Sequence, residues 1–153
     1  MSLEKPVPKR FIGLDIHKYY LIAIGVDAEL NQVLGPQRVQ LTNLESWMHK
    51  TLTTEDAVVI EMTTNTWQVY DELLPHVLSV TVVHPPHVKL ITRSQVMTDK
   101  IAASHLARLL AAGLLVGIWV PPEEVRQRRA LIAQRNKMTR LSTQAKNRLH
   151  AVL

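Results

Sequence analysis

The sequence predicts an α/β protein: a mixed sheet flanked by helices, followed by a long basic helix. Three observations carry that reading. The first third holds three β-rich runs joined by short polar turns, the middle alternates apolar strand patterns with helical ones, and the chain from 122 onward keeps a helical pattern without a break. Short connections imply antiparallel neighbours, whereas strand–helix–strand alternation implies parallel ones.

The β-rich runs are RFIGLDIH (10–17), YYLIAIGVD (19–27) and NQVLGPQRVQL (31–41), with His17-Lys18 as a tight connection. TNLESWMHKTL (42–52) reads as a short helix capped by Thr42 or Asn43, with Leu44, Trp47 and Met48 on one face. AVVIEM (57–62) is a buried strand, TWQVYDELLPHVL (66–78) a helix, and SVTVVHP (79–85) a second buried strand. Pro85-Pro86 reads as a rigid turn, followed by a short segment at 87–95. Thr98-Asp99 then opens a helix whose Ile101, Leu106, Leu109 and Leu110, with small Ala102 and Ala103 between, suit close packing on a sheet. IWVPPEEV (118–125) is a further short strand or connector that runs into a helix start, since Pro at the first turn and acids near the N-terminal dipole favour one. Along the final helix Leu131, Met138, Ala145 and Val152 recur at intervals of seven, with Leu141 and Leu149 beside them, as in a packing seam.

A chain of 153 residues that is 46% hydrophobic and 20% charged has the make-up of a globular domain, which excludes disordered and fibrous classes. Absence of cysteine excludes disulfides, thiolate metal sites and a cysteine nucleophile. No signal-peptide pattern follows MSLEKPVPKR, and the apolar run at 109–120 is too short for a membrane span and is broken by two glycines. A soluble, intracellular protein is the expectation. Its organisation reads as a flexible N-terminus (1–9), a folded domain (10–121) and a long helix (122–153) acting as coiled coil or linker. Because the helix ends while still periodic, the chain reads as a fragment that continues.

Charge is distributed unevenly. Residues 1–121 hold ten Lys/Arg against eleven Asp/Glu, and residues 122–153 hold eight against two. A near-neutral body with a basic helix points to a polyanionic partner such as nucleic acid, or to a solvated or oligomerising helix face. Arg126, Arg129, Arg135, Lys137 and Arg140 are the candidate backbone-phosphate contacts on it, with Lys18 and Lys100 as candidates nearer the acids.

Three acids stand out. Asp15 lies inside an apolar strand, Glu61 closes another, and Asp99 begins a helix. A carboxylate on or at the end of an apolar strand must be paired, hydrogen-bonded or bound to a cation. Singly, Asp99 also reads as an N-cap and Glu61 as a solvent-facing strand end.

In order along the chain, a meander with Asp on its first strand, a helix, a strand with Glu and a late helix with an acid at its start resemble the RNase H-like fold. FIGLDIHK, VVIEMTTNTW, VVHPPHVKLITRSQVMTDKIAASHLARLL and WVPPEEVRQRRALIAQRNKM resemble the N-terminal domain of the DEDD-type insertion-sequence transposases. That family is related to the Piv invertase and to RuvC-type junction resolvases, and the likeness runs from about residue 10 to about residue 150. The resemblance implies an RNase H-like (RuvC-like) domain in which Asp15, Glu61 and Asp99 are the first three acids of a catalytic, metal-binding set that cleaves and joins DNA with Mg²⁺ or Mn²⁺. It also implies DNA and a structured guide RNA as partners. The fourth acid falls at Ala102, and Met97 stands where the family usually has Lys. The family's C-terminal domain, with its serine nucleophile, is missing from the matched stretch.

Four acids matter because Mg²⁺ takes octahedral oxygen donors, and two ions clamp the attacking and leaving oxygens of a phosphoryl transfer. Residues at i and i+3 share a helix face, so alanine at 102 removes an oxygen that would stand beside Asp99. The expectation is a transposase or recombinase domain, cytoplasmic and nucleoid-associated in a bacterium or archaeon, homo-oligomeric through the last helix and impaired in isolated turnover. The alternatives are a non-catalytic nucleic-acid-binding and dimerisation module, or a standalone resolvase-like nuclease. His17 reads as a turn residue or a phosphate contact, His84 and His87 as part of a turn rather than a zinc site, and Trp47, Trp67 and Trp119 as packing residues.

Overall fold

Continuous apolar runs can be buried on both faces only inside a covered sheet, and that is how the first strands lie. The computed structural model describes residues 6–92 and 98–152. β1 (Arg10–Ile16), β2 (Tyr20–Val26) and β3 (Gln32–Gln40) form an antiparallel meander, while β4 (Asp56–Glu61) pairs parallel with β1, and β5 (Ser79–Val83) parallel with β4. The sheet order is therefore β3-β2-β1-β4-β5, with β1 at the centre. Its core residues Ile12, Leu14, Leu21, Val58, Val59 and Ile60 have no exposed surface. Pro36 sits on β3, an edge strand, where a missing ladder donor is tolerated.

α1 (Leu44–Thr51) and α2 (Thr66–Leu73) connect strands, while α3 (Pro85–Thr92) and α4 (Asp99–Ala111) follow the last strand. α1 buries Leu44 and Met48, as its pattern predicts, but Asn43 precedes it without a side-chain capping bond. The helix expected over 66–78 stops at Leu73 and tightens into a 3₁₀ turn at Leu74–His76, because Pro75 cannot donate to a continuing α-helix. Pro85-Pro86 is not a turn: it opens α3. Proline costs nothing in the first turn, where the amide has no partner anyway, so the local punctuation signal was a helix start. Within the segment expected at 87–95, residues through Thr92 are helical, and 93–95 lie outside the described residues. No strand forms at 118–125: Ile118–Val120 carry no regular structure, and Ile118 N donates to Val82 O at 2.8 Å.

α4 carries Asp99, the third of the acids singled out in the sequence. Thr98 is its N-cap, with Oγ1 accepting from Ile101 N at 3.4 Å, so Asp99 is the first helical residue rather than the cap. Ala103 and Ala107 are fully buried against the sheet, Leu106 joins Val59, Val83 and Val88 in one cluster, and Ile22 and Ile24 meet Ala103 in another. Ile101, expected on the packed face, is 40% exposed.

The chain divides into two compact units between Ile118 and Trp119, just ahead of the 121/122 division read from the sequence. Of the N-terminal stretch, residues 1–5 lie outside the described residues, while Lys9 is tied to Glu55 by a backbone bond of 2.9 Å and an ion pair of 2.7 Å. The second unit contains α5 (Glu123–Val152), a single helix with no buried residue. Its seam positions Leu131, Met138, Leu141 and Leu149 are all at least half exposed. Among the described residues no helix is long and apolar enough to cross a membrane.

Candidate metal centre

Strand alternation puts Gly13, Asp15 and His17 on one face of β1 or just beyond it. Gly13 lies directly beneath α4: a Cβ there would collide with the carbonyl oxygen of Ala103 and stand 2.7 Å from Ala107 N and 2.9 Å from Leu106 Cβ. The missing side chain lets the helix axis come down onto the strand. Asp15, two residues further on, points toward the helical turn before Ala103, and Asp99 stands there, at the helix start.

The result is a cluster. Ligand atoms of Asp15, His17 and Asp99 all lie within 4.8 Å of one another. His17 Nε2 is 3.1 Å from Asp15 Oδ2 and 3.3 Å from Asp99 Oδ2, so one imidazole bridges two carboxylates. Tyr20 donates its hydroxyl to Asp99 Oδ2 at 2.9 Å, and its ring stacks on His17 with centroids 4.6 Å apart. Asn65, in the loop after β4, donates its amide to the carbonyls of His17 and Lys18 at 3.2 Å each, which holds the β1–β2 turn in place. Burial pushes the Asp15 carboxyl above the usual carboxylate range; His17 pulls it back down, and the charge on Asp99 adds to the rise. The bond to Asp99 likewise raises the Tyr20 hydroxyl.

The transposase model of the DEDD IS110 family matches residues 12–153. The chain belongs to that family. No curated protein matches it significantly in sequence. Among solved structures, RuvC from T. thermophilus, in complex with a Holliday junction substrate, is similar with a TM-score of 0.41 and 14% identity, over 71% of this chain and 99% of that one. The fold of this transposase chain is a mixed five-stranded sheet with flanking helices and a long C-terminal helix.

Within the transposase chain the three acids named from sequence do not stand alike. Asp15 and Asp99 converge. Glu61 follows Ile60, the register partner of Leu14, so Asp15 and Glu61 stand level on neighbouring parallel strands, Glu61 last in β4 and Asp15 one before the end of β1. Val59 packs under Leu106, and Glu61, two residues on, shares that face. Yet Glu61 is not part of the 4.8 Å cluster, and Thr66 Oγ1 donates to its backbone carbonyl at 3.2 Å. Ala102 is half-buried one turn from Asp99 and offers no oxygen, while Met97 and Ser94 lie outside the described residues. Carboxylate oxygens are the donors a hard divalent cation takes, and a cation would relieve the burial and like charge that raise Asp15. The residues present therefore fit such an ion.

Of the basic candidates, Lys18 and Lys100 are exposed next to the cluster residues in sequence, and the other five are on α5 in the second unit, with Arg126 half-buried and the rest exposed. His84 and His87 meet edge to face, centroids 5.5 Å apart, at the start of α3. Trp47 donates its indole to Gln37 at 2.6 Å, and Trp119 is 66% exposed with Arg129 over its ring at 5.7 Å. Sequence reasoning missed His17 as a member of the cluster, although period-two alternation from Asp15 was a usable signal. It had none for Tyr20, which reaches Asp99 only through the packing of α4.

Proposed function

We propose that this chain is the DEDD catalytic domain of a transposase or site-specific recombinase, which cleaves and joins DNA strands with a divalent metal. The single observation carrying the reading is the convergence of Asp15, His17 and Asp99 at the end of the central strand. Asp15 and Asp99 would hold Mg²⁺ or Mn²⁺, with Glu61 as a further donor from the adjacent strand, and His17 keeps the two carboxylates together. A divalent ion bound there supplies charge stabilisation for phosphoryl transfer. Tyr20 orients Asp99, and Asn65 keeps His17 in position. Lys18, Lys100 and the cations of α5 (Arg126, Arg129, Arg135, Lys137 and Arg140) hold DNA or a structured guide RNA by their phosphates, with salt-sensitive affinity. Ala102 leaves the donor set one oxygen short, so the domain turns over poorly by itself. A DNA substrate places its action in the cytoplasm, at the nucleoid.

Calorimetric titration of Mn²⁺ and Mg²⁺ into the chain, Ala102→Asp and Asp15→Ala tests this. Restored acid at 102 strengthens binding, and Asp15→Ala abolishes it. If none of the three binds either ion, the metal reading fails; efficient Mg²⁺-dependent cleavage by the unaltered chain would show that Ala102 impairs nothing.

A second reading rests on α5. Thirty residues without one buried position, carrying an exposed apolar seam, suit a module that binds nucleic acid and pairs with another copy, the acids being vestigial. It predicts nucleic-acid affinity indifferent to metal.

A further inference from the structure

Beside the acids lies a cleft that this reading leaves without a role. Tyr20 on β2, Pro36 and Arg38 on β3, and Asp99 and Lys100 at the start of α4 line an open space of about 730 Å³. Both sides carry cations, Arg38 from the sheet edge and Lys100 from the helix, and both residues are exposed. Neither forms an ion pair with a described residue.

We propose that this cleft seats a single-stranded stretch of nucleic acid, with Arg38 and Lys100 on backbone phosphates flanking the position served by Asp99. The inference rests on the transposase reading above and adds a strand subsite to it. Arg38 is the better-defined half. Its guanidinium carbon stands 3.9 Å from the centroid of the Tyr20 ring, a stacking that fixes the plane of the group while leaving its N–H edges for phosphate oxygens. Opposite, Lys100 is a mobile point charge within the first turn of α4, where the helix dipole also favours an anion. Between them Tyr20 joins the cleft to the acids, because the ring that carries Arg38 also donates its hydroxyl to Asp99. A strand held by Arg38 therefore lies one side chain away from the carboxylate that acts on it. The space is of the size that takes a small molecule or a nucleotide or two.

Fluorescence anisotropy of a labelled oligothymidylate, titrated with the full chain in Ca²⁺ over a range of NaCl concentrations, tests the subsite. Each phosphate contact on a single strand contributes about 0.7 to the slope of log affinity against log salt. Arg38→Gln and Lys100→Gln are each expected to lower the slope by roughly that amount. Thermal unfolding of each variant checks that the fold is intact. If Arg38→Gln and Lys100→Gln keep the full slope while Arg140→Gln lowers it, the strand runs along α5 alone and the cleft is overturned, with the transposase reading untouched. A wild-type chain that shows no salt-dependent binding at all overturns both together.

Discussion

The two ends of one strand pair handle buried charge in opposite ways. At the N-terminal end of β1 and β4, Arg10 and Asp56 are register partners. The guanidinium donates to both carboxylate oxygens, at 2.7 and 2.6 Å, and also to Thr51 O at 2.9 Å, while Thr53 N donates to Asp56 Oδ2 at 2.7 Å. Asp56 has no exposed surface and needs none, since a bidentate cation and a backbone amide satisfy it; the same bond raises Arg10 above its ordinary value. At the C-terminal end, Asp15 has a second acid for a neighbour and a single imidazole shared between the two. One end is closed and structural. The other sets two carboxylates against one imidazole, and burial together with the charge on Asp99 raises Asp15.

The largest way to break this contrast is Arg10→Ala. Asp56 would be left buried without its cation, and removing one partner of a buried pair costs about 3–5 kcal/mol. Urea unfolding should show a loss of that order, and a loss near zero would mean that the pair is not what holds this end of the sheet.

Gly13→Ala attacks the other end through its geometry. The new methyl group meets the backbone of Ala103, which cannot swing aside as a side chain can. We expect a stability loss of about 1–3 kcal/mol, as for overpacking. Metal binding should fall with it, because the same displacement separates Asp99 from Asp15. Calorimetry on a variant that is still folded distinguishes a shifted helix from a tolerated methyl group.

Thr98→Ala is milder. Losing the cap costs about 0.5–1 kcal/mol, toward the low end because the bond is long at 3.4 Å. Unfolding of the two proteins side by side checks it; an unchanged midpoint would show that the cap is idle.

Asp15→Asn sharpens the contrast most finely because its sign is unusual. The folded pKa of Asp15 is raised, with burial the main cause, so the folded state holds the proton more tightly than the unfolded chain does. The ionised carboxylate therefore costs stability above its folded pKa, and that cost fades as the pH falls into the usual carboxylate range. The variant should melt higher than the wild type at neutral pH, by a small margin that closes on acidification. Adding Mn²⁺ should reverse the order, since an ion that binds only the folded wild type stabilises it by mass action. A variant that melts lower at neutral pH without metal would mean that His17 outweighs burial.

Much of the fold was legible because it is local. Runs of β-formers and continuous apolar stretches marked the strands, the short His17-Lys18 link implied antiparallel pairing, and Thr98-Asp99 marked the start of α4. Pro85-Pro86 misled because a proline pair punctuates turns and helix starts alike, and only the donated bonds from His87 and Val88 to His84 O tell them apart. The Arg10–Asp56 pair went unread because each residue alone looks like an ordinary strand flank.

The sequence by itself determined the five strands and the helices other than α3, that carboxylates stand on or at the ends of strands, that the last helix is basic, and which family the residues resemble. Tertiary structure alone decided which charges meet. Asp15 and Asp99 are far apart in the chain and converge because Gly13 lets α4 settle onto β1, while Arg10 and Asp56 meet through the parallel register of β1 with β4. The physical reason is range: propensity and periodicity act over a few residues, whereas burial, like-charge proximity and a shared hydrogen bond arise only once distant elements pack.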